Sequence, residues 1–145
     1  MAFFQKRGDD GSLPRNDRGK GSFDDYSYGL NAKNGRVTMT LAASDPHQPE
    51  LNTIVETGEL TAETAISPRS IEQERVDAPI EVRLFTGRRV SGVVGSVPRG
   101  LESVIDETLR RLDDKGEKPR IPAKIVGKPG EWRVQLQMGA VREKR

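Results

Sequence analysis

The side chains that most often carry out chemistry are few in this chain, and their spacing does not suit it. Cysteine is absent, so neither a disulfide nor a thiolate metal site can form. His47 is the single histidine, set between Pro46 and Pro49. A metal centre built on it would need carboxylates for all its other ligands, with no second histidine one helical turn away. It reads as an exposed loop histidine, and neither metal nor cofactor is expected. Acids gather at Glu50, Glu56, Glu59, Glu63, Glu72, Glu74 and Asp77. Paired carboxylates do acid–base work only where burial separates their pKa values. Nothing local supplies that burial, and the cluster reads as a solvated acidic face. Ser91, Ser96 and Ser103 sit in no G-x-S-x-G elbow. Gly92-Val-Val-Gly95 has neither of the glycine spacings that cradle phosphate in nucleotide loops. No enzyme and no small-molecule substrate are expected.

Positive charge is the chemistry the chain does offer. Residues 79–145 hold 15 basic and 9 acidic side chains, whereas residues 36–78 hold 3 and 8, and the whole chain is +2. A basic half of this kind suits a polyanion. The candidate phosphate contacts are Arg83, Arg88, Arg89, Arg99, Lys124, Lys128 and Arg133. Two aromatics accompany them, Phe85 and Trp132, both at positions whose periodicity suggests core packing rather than base stacking.

The elements that would position these residues follow from periodicity. With 33% apolar and 32% charged residues, a modest core is expected in the C-terminal two-thirds. Val37, Met39 and Leu41 share one face of a strand over 36–42. Leu51–Glu59 and Thr61–Pro68 are rich in Thr, Ile and Val and read as two short strands, with Gly58 as their turn. Residues 67–74 read as a helical turn or loop. In 79–85, Ile80, Val82 and Leu84 alternate with Glu81, Arg83 and Phe85. A tight turn at Thr86–Arg89 starts the partner strand, where Gly92 and Gly95 mark a bulge or a close backbone approach. Leu101, Val104, Ile105, Leu109 and Leu112 fall on one helical stripe, acids first and bases last, with Gly116 as the stop. The helix spans about 101–115. Two alternating segments, 120–126 and 131–138, form a closing hairpin. The fold class is mainly β, a small barrel of about six strands with one amphipathic helix.

Residues 1–35 contain six glycines and no surviving period, and are expected to be a flexible tail. Five of the seven aromatics fall here, among them Phe23, Tyr26 and Tyr28. Those three could form a short motif that orders on a protein partner, or a strap packed on the domain. Residues 36–140 would be the domain and 141–145 a loose basic end. No apolar run approaches membrane-spanning length, and the start lacks a signal-like apolar region. The expected setting is cytoplasmic, with no membrane partner.

Val94-Gly-Ser-Val-Pro-Arg99, then a helix, then Ile121-Pro-Ala-Lys-Ile-Val-Gly127 and Arg133-Val-Gln-Leu-Gln137 together resemble the HIRAN family of small β-barrel domains. The likeness covers roughly residues 77–138. Ser96 stands where the family usually has Tyr, and Glu74-Arg-Val-Asp-Ala-Pro-Ile80 replaces its Asn-Pro-Tyr-Asp segment. The resemblance implies a barrel that grips single-stranded DNA as a non-catalytic appendage of DNA-processing proteins. The alternative is a protein-interaction module of bacterial or phage type, working through the aromatic tail or a sheet edge.

Overall fold

In the computed structural model, which describes residues 13–87 and 89–143, the centre of the chain is a bent hairpin. Its first arm is β3 (Glu81–Val82) and β4 (Leu84–Thr86), with only Arg83 between them; its second is β5 (Arg89–Val90) and β6 (Gly95–Ser96). The Ser91 amide donates to Leu84 O and the Val94 amide to Val82 O. Three steps on one arm therefore face two on the other, which is a one-residue bulge at Gly92-Val93. Gly95 is the close approach: a Cβ there would stand 2.9 Å from Ala42 O.

Around this hairpin stand β1 (Met39–Thr40), β2 (Thr61–Thr64), β7 (Pro122–Val126) and β8 (Arg133–Leu136). The antiparallel order is β1-β8-β7-β2-β4-β5, with β3 paired to β6. Just past β1, Ala42 and Ser96 exchange amide–carbonyl bonds of 2.8 Å each. The hydrogen-bonded circuit thereby closes through six strand positions: β1, β8, β7, β2, β3/β4 and β5/β6. Inward residues alternate as the sequence requires: Met39, Leu41, Val82, Leu84, Val94, Ile121, Val134 and Leu136 are all but inaccessible. The chain is mainly β, and its long helix, α3 (Glu102–Asp114), adds Val104, Ile105 and Leu109 to the same core.

Several expectations need correction. Leu51–Glu59 is not a strand: residues Gln48–Glu56 form a helix, α1. Pro49 sits at its start, where a missing amide costs nothing, and Leu51, Ile54 and Val55 repeat at helical spacing. The β-branched run Thr53–Val55 masked that period. His47 is half-buried ahead of α1 rather than exposed. The Gln48 side chain ties this helix to the barrel by accepting from Trp132 N at 2.8 Å and donating to Trp132 O at 2.9 Å. Residues Ile71–Arg75 form a short helix, α2, opened by a reciprocal Ser70–Gln73 cap.

The flexible-tail expectation fails for residues 13–35, which strap the barrel; residues 1–12 lie outside the described residues. Lys20 and Thr40 exchange backbone bonds of 3.0 and 2.9 Å, and Tyr26 is core. Buried Asp17 accepts from the Ser44 and Asp45 amides at 2.7 and 2.8 Å. The C-terminal end is not loose as far as it is described. The Glu143 amide donates to Asn31 Oδ1 and its carbonyl accepts from Asn31 Nδ2, at 2.8 and 2.9 Å. Lys144 and Arg145 lie outside the described residues.

Tyr26 enters the core with no hydrogen-bond partner for its hydroxyl among the described residues. Burial, helped by the charge of Asp25, pushes its pKa from 10.0 up to about 12. The unfolded phenol ionises first, so this contribution is intact below pH 10 and drains as pH rises toward 12, by about 1.4 kcal/mol per unit. Tyr26→Phe removes both the orphan hydroxyl and that drain. At neutral pH it is expected to match or exceed the parent in stability, by up to about 1 kcal/mol. Above pH 10 its loss should be shallower, as followed by Trp132 fluorescence in urea. A neutral-pH loss above about 1 kcal/mol would mean that the hydroxyl has a partner.

Candidate nucleic-acid interface

The alternation that sends Val82 and Leu84 inward sends Arg83 and Phe85 outward. Register then fixes their neighbours. Phe85 pairs with Glu63 on β2 and with Val90 on β5, and Glu63 pairs with Pro122 on β7. Direct antiparallel partners share a face, so one outer row runs Val90–Phe85–Glu63–Pro122. In the adjacent row Thr61, Lys124 and Gln135 are register partners.

At one end of the first row the Arg120 guanidinium lies over the Phe85 ring, 4.0 Å from its centroid. Glu63 holds it from the side at 3.3 Å. A cation over an aromatic face is worth about 0.5–1 kcal/mol at such an exposed site. The pair floors a groove of about 430 Å3 whose walls are residues 64–67, Val90, Lys118 and Pro119. No carboxylate lines it. Val90 is 54% exposed, and Lys118 and Lys124 are exposed. The groove thus offers a guanidinium plane backed by an aromatic ring, and loose cations, on a mostly apolar bed. That set can stack a base and hold a phosphate.

The residues expected from sequence divide into three groups. Arg83, Arg89, Lys124 and Lys128 are exposed. Arg83 has the parity of Phe85, Lys124 is in the adjacent row, and Lys128 stands in the turn beyond β7. Arg89, the partner of Thr86, has the parity opposite to Val90 and lines a separate cleft with Glu50 and Glu59. Arg99 and Arg133 are corrected as free phosphate contacts. The Arg99 guanidinium donates to Glu102 at 2.7 Å and to Asp77 Oδ2 at 3.0 Å. Arg133, half-buried, donates to Asp45 at 2.9 Å and to Asn16 O at 3.0 Å, with Asp17 at 3.6 Å. Both are joints between segments. Arg88 lies outside the described residues. Of the proposed tail motif, Phe23 is half-exposed and Tyr28 wholly exposed, but Tyr26 is buried in the core and is not available to a partner.

Lys118 and Arg120 were not among the expected contacts, and Phe85 was expected in the core. The signal for Phe85 was present, since its parity is that of Arg83 and not of Leu84. For Arg120 it was the even spacing 120, 122, 124 along β7, which puts it on the face of Lys124. Trp132 is half-buried against the core, its indole N–H without a partner among the described residues, and serves no stacking surface. Among the described residues no helix is long and apolar enough to cross a membrane. Comparison with protein-family models, curated proteins and solved structures returned no match.

Proposed function

We propose that this chain is a HIRAN-like accessory module that binds single-stranded nucleic acid, DNA in the first instance, on the outer face of β2, β4, β5 and β7. The observation that carries the reading is the Arg120–Phe85 stack in a groove whose walls carry no carboxylate, with Glu63 spent on Arg120. One base stacks on the Arg120 guanidinium plane that Phe85 backs, and Lys118, Lys124 and Arg83 meet phosphates. The module works without chemistry of its own, in the cytoplasm.

The test is fluorescence anisotropy of a labelled oligothymidine at low and moderate salt. Phe85→Ala is expected to weaken binding by about 5- to 150-fold, as for the loss of one stacked base at about 1–3 kcal/mol. The Lys118→Ala/Lys124→Ala double variant should flatten the log–log salt slope by about 1.4, from about 0.7 per single-strand phosphate contact. Absence of binding at low salt, or full affinity in Phe85→Ala, would end this reading.

A second reading has one observation in its favour. β5 ends the strand order, and Val90 on it is exposed. An extended segment of a partner protein could add to that edge. Such a contact would be nearly indifferent to salt.

A further inference from the structure

A second cleft shares no lining residue with the Phe85 groove. It lies between the strap and the connection from β6 to α3, has a volume of about 340 Å3, and is lined by residues 18–23 and 98–101. That volume lies in the range of small-ligand sites. Its charge is one-sided. Arg18, Lys20 and Arg99 line it and no carboxylate does. Glu102, next to Leu101, is 2% exposed and is spent on the Arg99 guanidinium and the Gly100 amide, at 2.7 and 2.8 Å. Asp17, next to Arg18, is buried on the Ser44 and Asp45 amides, and Asp24, next to Phe23, is exposed but is not part of the lining. Arg99 is thereby neutralised, and the uncompensated charge belongs to Arg18 and Lys20. Arg18 Nε donates to Leu13 O at 3.0 Å, which orients the guanidinium while its terminal nitrogens have no partner among the described residues. Lys20 is exposed, and no carboxylate among the described residues pairs with it.

The floor is main chain. At Gly19, φ is +79° and a Cβ would come within 2.7 Å of Thr40 O and 2.8 Å of Pro98. A Cβ at Gly21 would meet Leu101 at 2.6 Å. Glycine at both positions lets the strap backbone lie directly on Thr40, Pro98 and Leu101, and this fixes Lys20 between them at the cleft. Beside this floor Phe23 keeps half its surface in solvent while Tyr26, three residues on, goes into the core. An aromatic ring left at the lip of a basic cleft is a surface for another flat ring.

We propose that this cleft is a nucleotide site, with the phosphate held by Arg18 and Lys20 and the base laid on Phe23. The inference stands on the cleft alone and does not depend on the Phe85 groove. The ligand is a phosphate monoester joined to a planar ring, either a free mononucleotide or the phosphorylated terminal nucleotide of a strand.

The experiment titrates AMP, adenosine, inorganic phosphate and a 5′-phosphorylated trinucleotide into the full chain, read by amide chemical shifts. AMP is expected to move the signals of Lys20–Phe23 and Gly100, and adenosine to bind at least about tenfold more weakly, because charge-assisted contacts carry the phosphate. Lys20→Ala should weaken AMP about tenfold. Phe23→Ala should weaken AMP about fivefold and leave inorganic phosphate unchanged. Both positions are exposed, so the variants should keep the parent's spectrum elsewhere. Tighter binding of the trinucleotide than of AMP supports a strand terminus, and equal or weaker binding supports a free nucleotide. No AMP shift at millimolar concentration, shifts away from the cleft, or full affinity in Lys20→Ala would overturn the proposal. Lys118→Ala separates the two sites. It should leave AMP binding intact even where it weakens oligothymidine.

Discussion

Asp106→Ala is expected to destabilise the protein by about 3–5 kcal/mol, the usual cost of stranding one member of a buried ion pair. Asp106 lies on the inner face of α3 and is 2% exposed. Its two carboxylate oxygens take the Arg69 backbone amide at 2.8 Å and the Arg69 Nε at 2.9 Å. The Arg69 side chain is itself only 8% exposed and passes a further bond of 2.8 Å to Ala78 O. Burial works against the guanidinium's charge, but the hydrogen bond and attraction of Asp106 outweigh it, and the Arg69 pKa lies above its usual value. Alanine would leave the buried cation with only Ala78 O and the exposed Asp77 carboxylate at 3.4 Å, and a main-chain amide unpaired. Asp106→Asn, which keeps one acceptor, should lose less. The pair Arg69→Met/Asp106→Leu should recover most of the loss, since well-packed apolar replacements of buried ion pairs are often neutral. Urea unfolding of the four proteins measures this. A loss under about 1 kcal/mol in Asp106→Ala would mean that the 65–78 segment is free to move and rehydrate Arg69.

The second large effect is expected at Asp17. Its carboxylate is fully buried, accepts two barrel amides and lies 3.6 Å from Arg133. Asp17→Ala leaves two amides without acceptors, at about 1–3 kcal/mol for such groups, and a net loss of about 3 kcal/mol is expected. Arg133 softens the result because Asp45 still holds it at 2.9 Å. The local signature matters more than the total. Hydrogen exchange at Lys20 and Thr40, whose amides bond each other's carbonyls, should rise toward that of an unprotected segment, while β7 and β8 keep their protection. Uniform loss of protection across the barrel would make Asp17 part of the global fold rather than the anchor of a strap. For the same reason a chain shortened at residue 30 is not a clean probe of tail binding, since it loses Asp17 and Tyr26 together.

Period-2 alternation over 80–85, 120–126 and 131–138 was enough to place the barrel strands and their inner faces. The helical stripe from Leu101 to Leu112 came within one residue of α3 at each end. α1 was missed because β-branched residues obscured a short apolar period, and because its N-terminal Pro49 resembles a loop signal. The strap was open in the sequence only as one of two readings of Phe23–Leu30, beside a partner motif, and its extent back to residue 13 was missed for a different reason. Residues 13–35 have no period because their order comes from single long-range contacts: Asp17 to Ser44, Lys20 to Thr40, Asn31 to Glu143. Such contacts leave no local trace. The same blindness affected the candidate site. Sequence counts Arg99 and Arg133 as cations equal to Lys124, whereas Glu102, Asp77 and Asp45 neutralise them across 3–88 residues of chain. Glu102 and Asp106 read as helix-dipole partners in solvent, yet both are buried in ion pairs. Which charges remain free is a property of the fold.

The central claim is that a single nucleic-acid strand lies over Phe85 and Arg120. Its most direct measurement is amide and side-chain shift mapping of the full chain as oligothymidine is added at low salt. The account predicts salt-sensitive shifts at Glu63, Phe85, Arg120, Pro122 ring protons and Lys124, with Asp113 and Asp114 at the acidic end of α3 unmoved. Shifts confined to Arg89 and Val90 along the β5 edge, or no shifts at all, would contradict it.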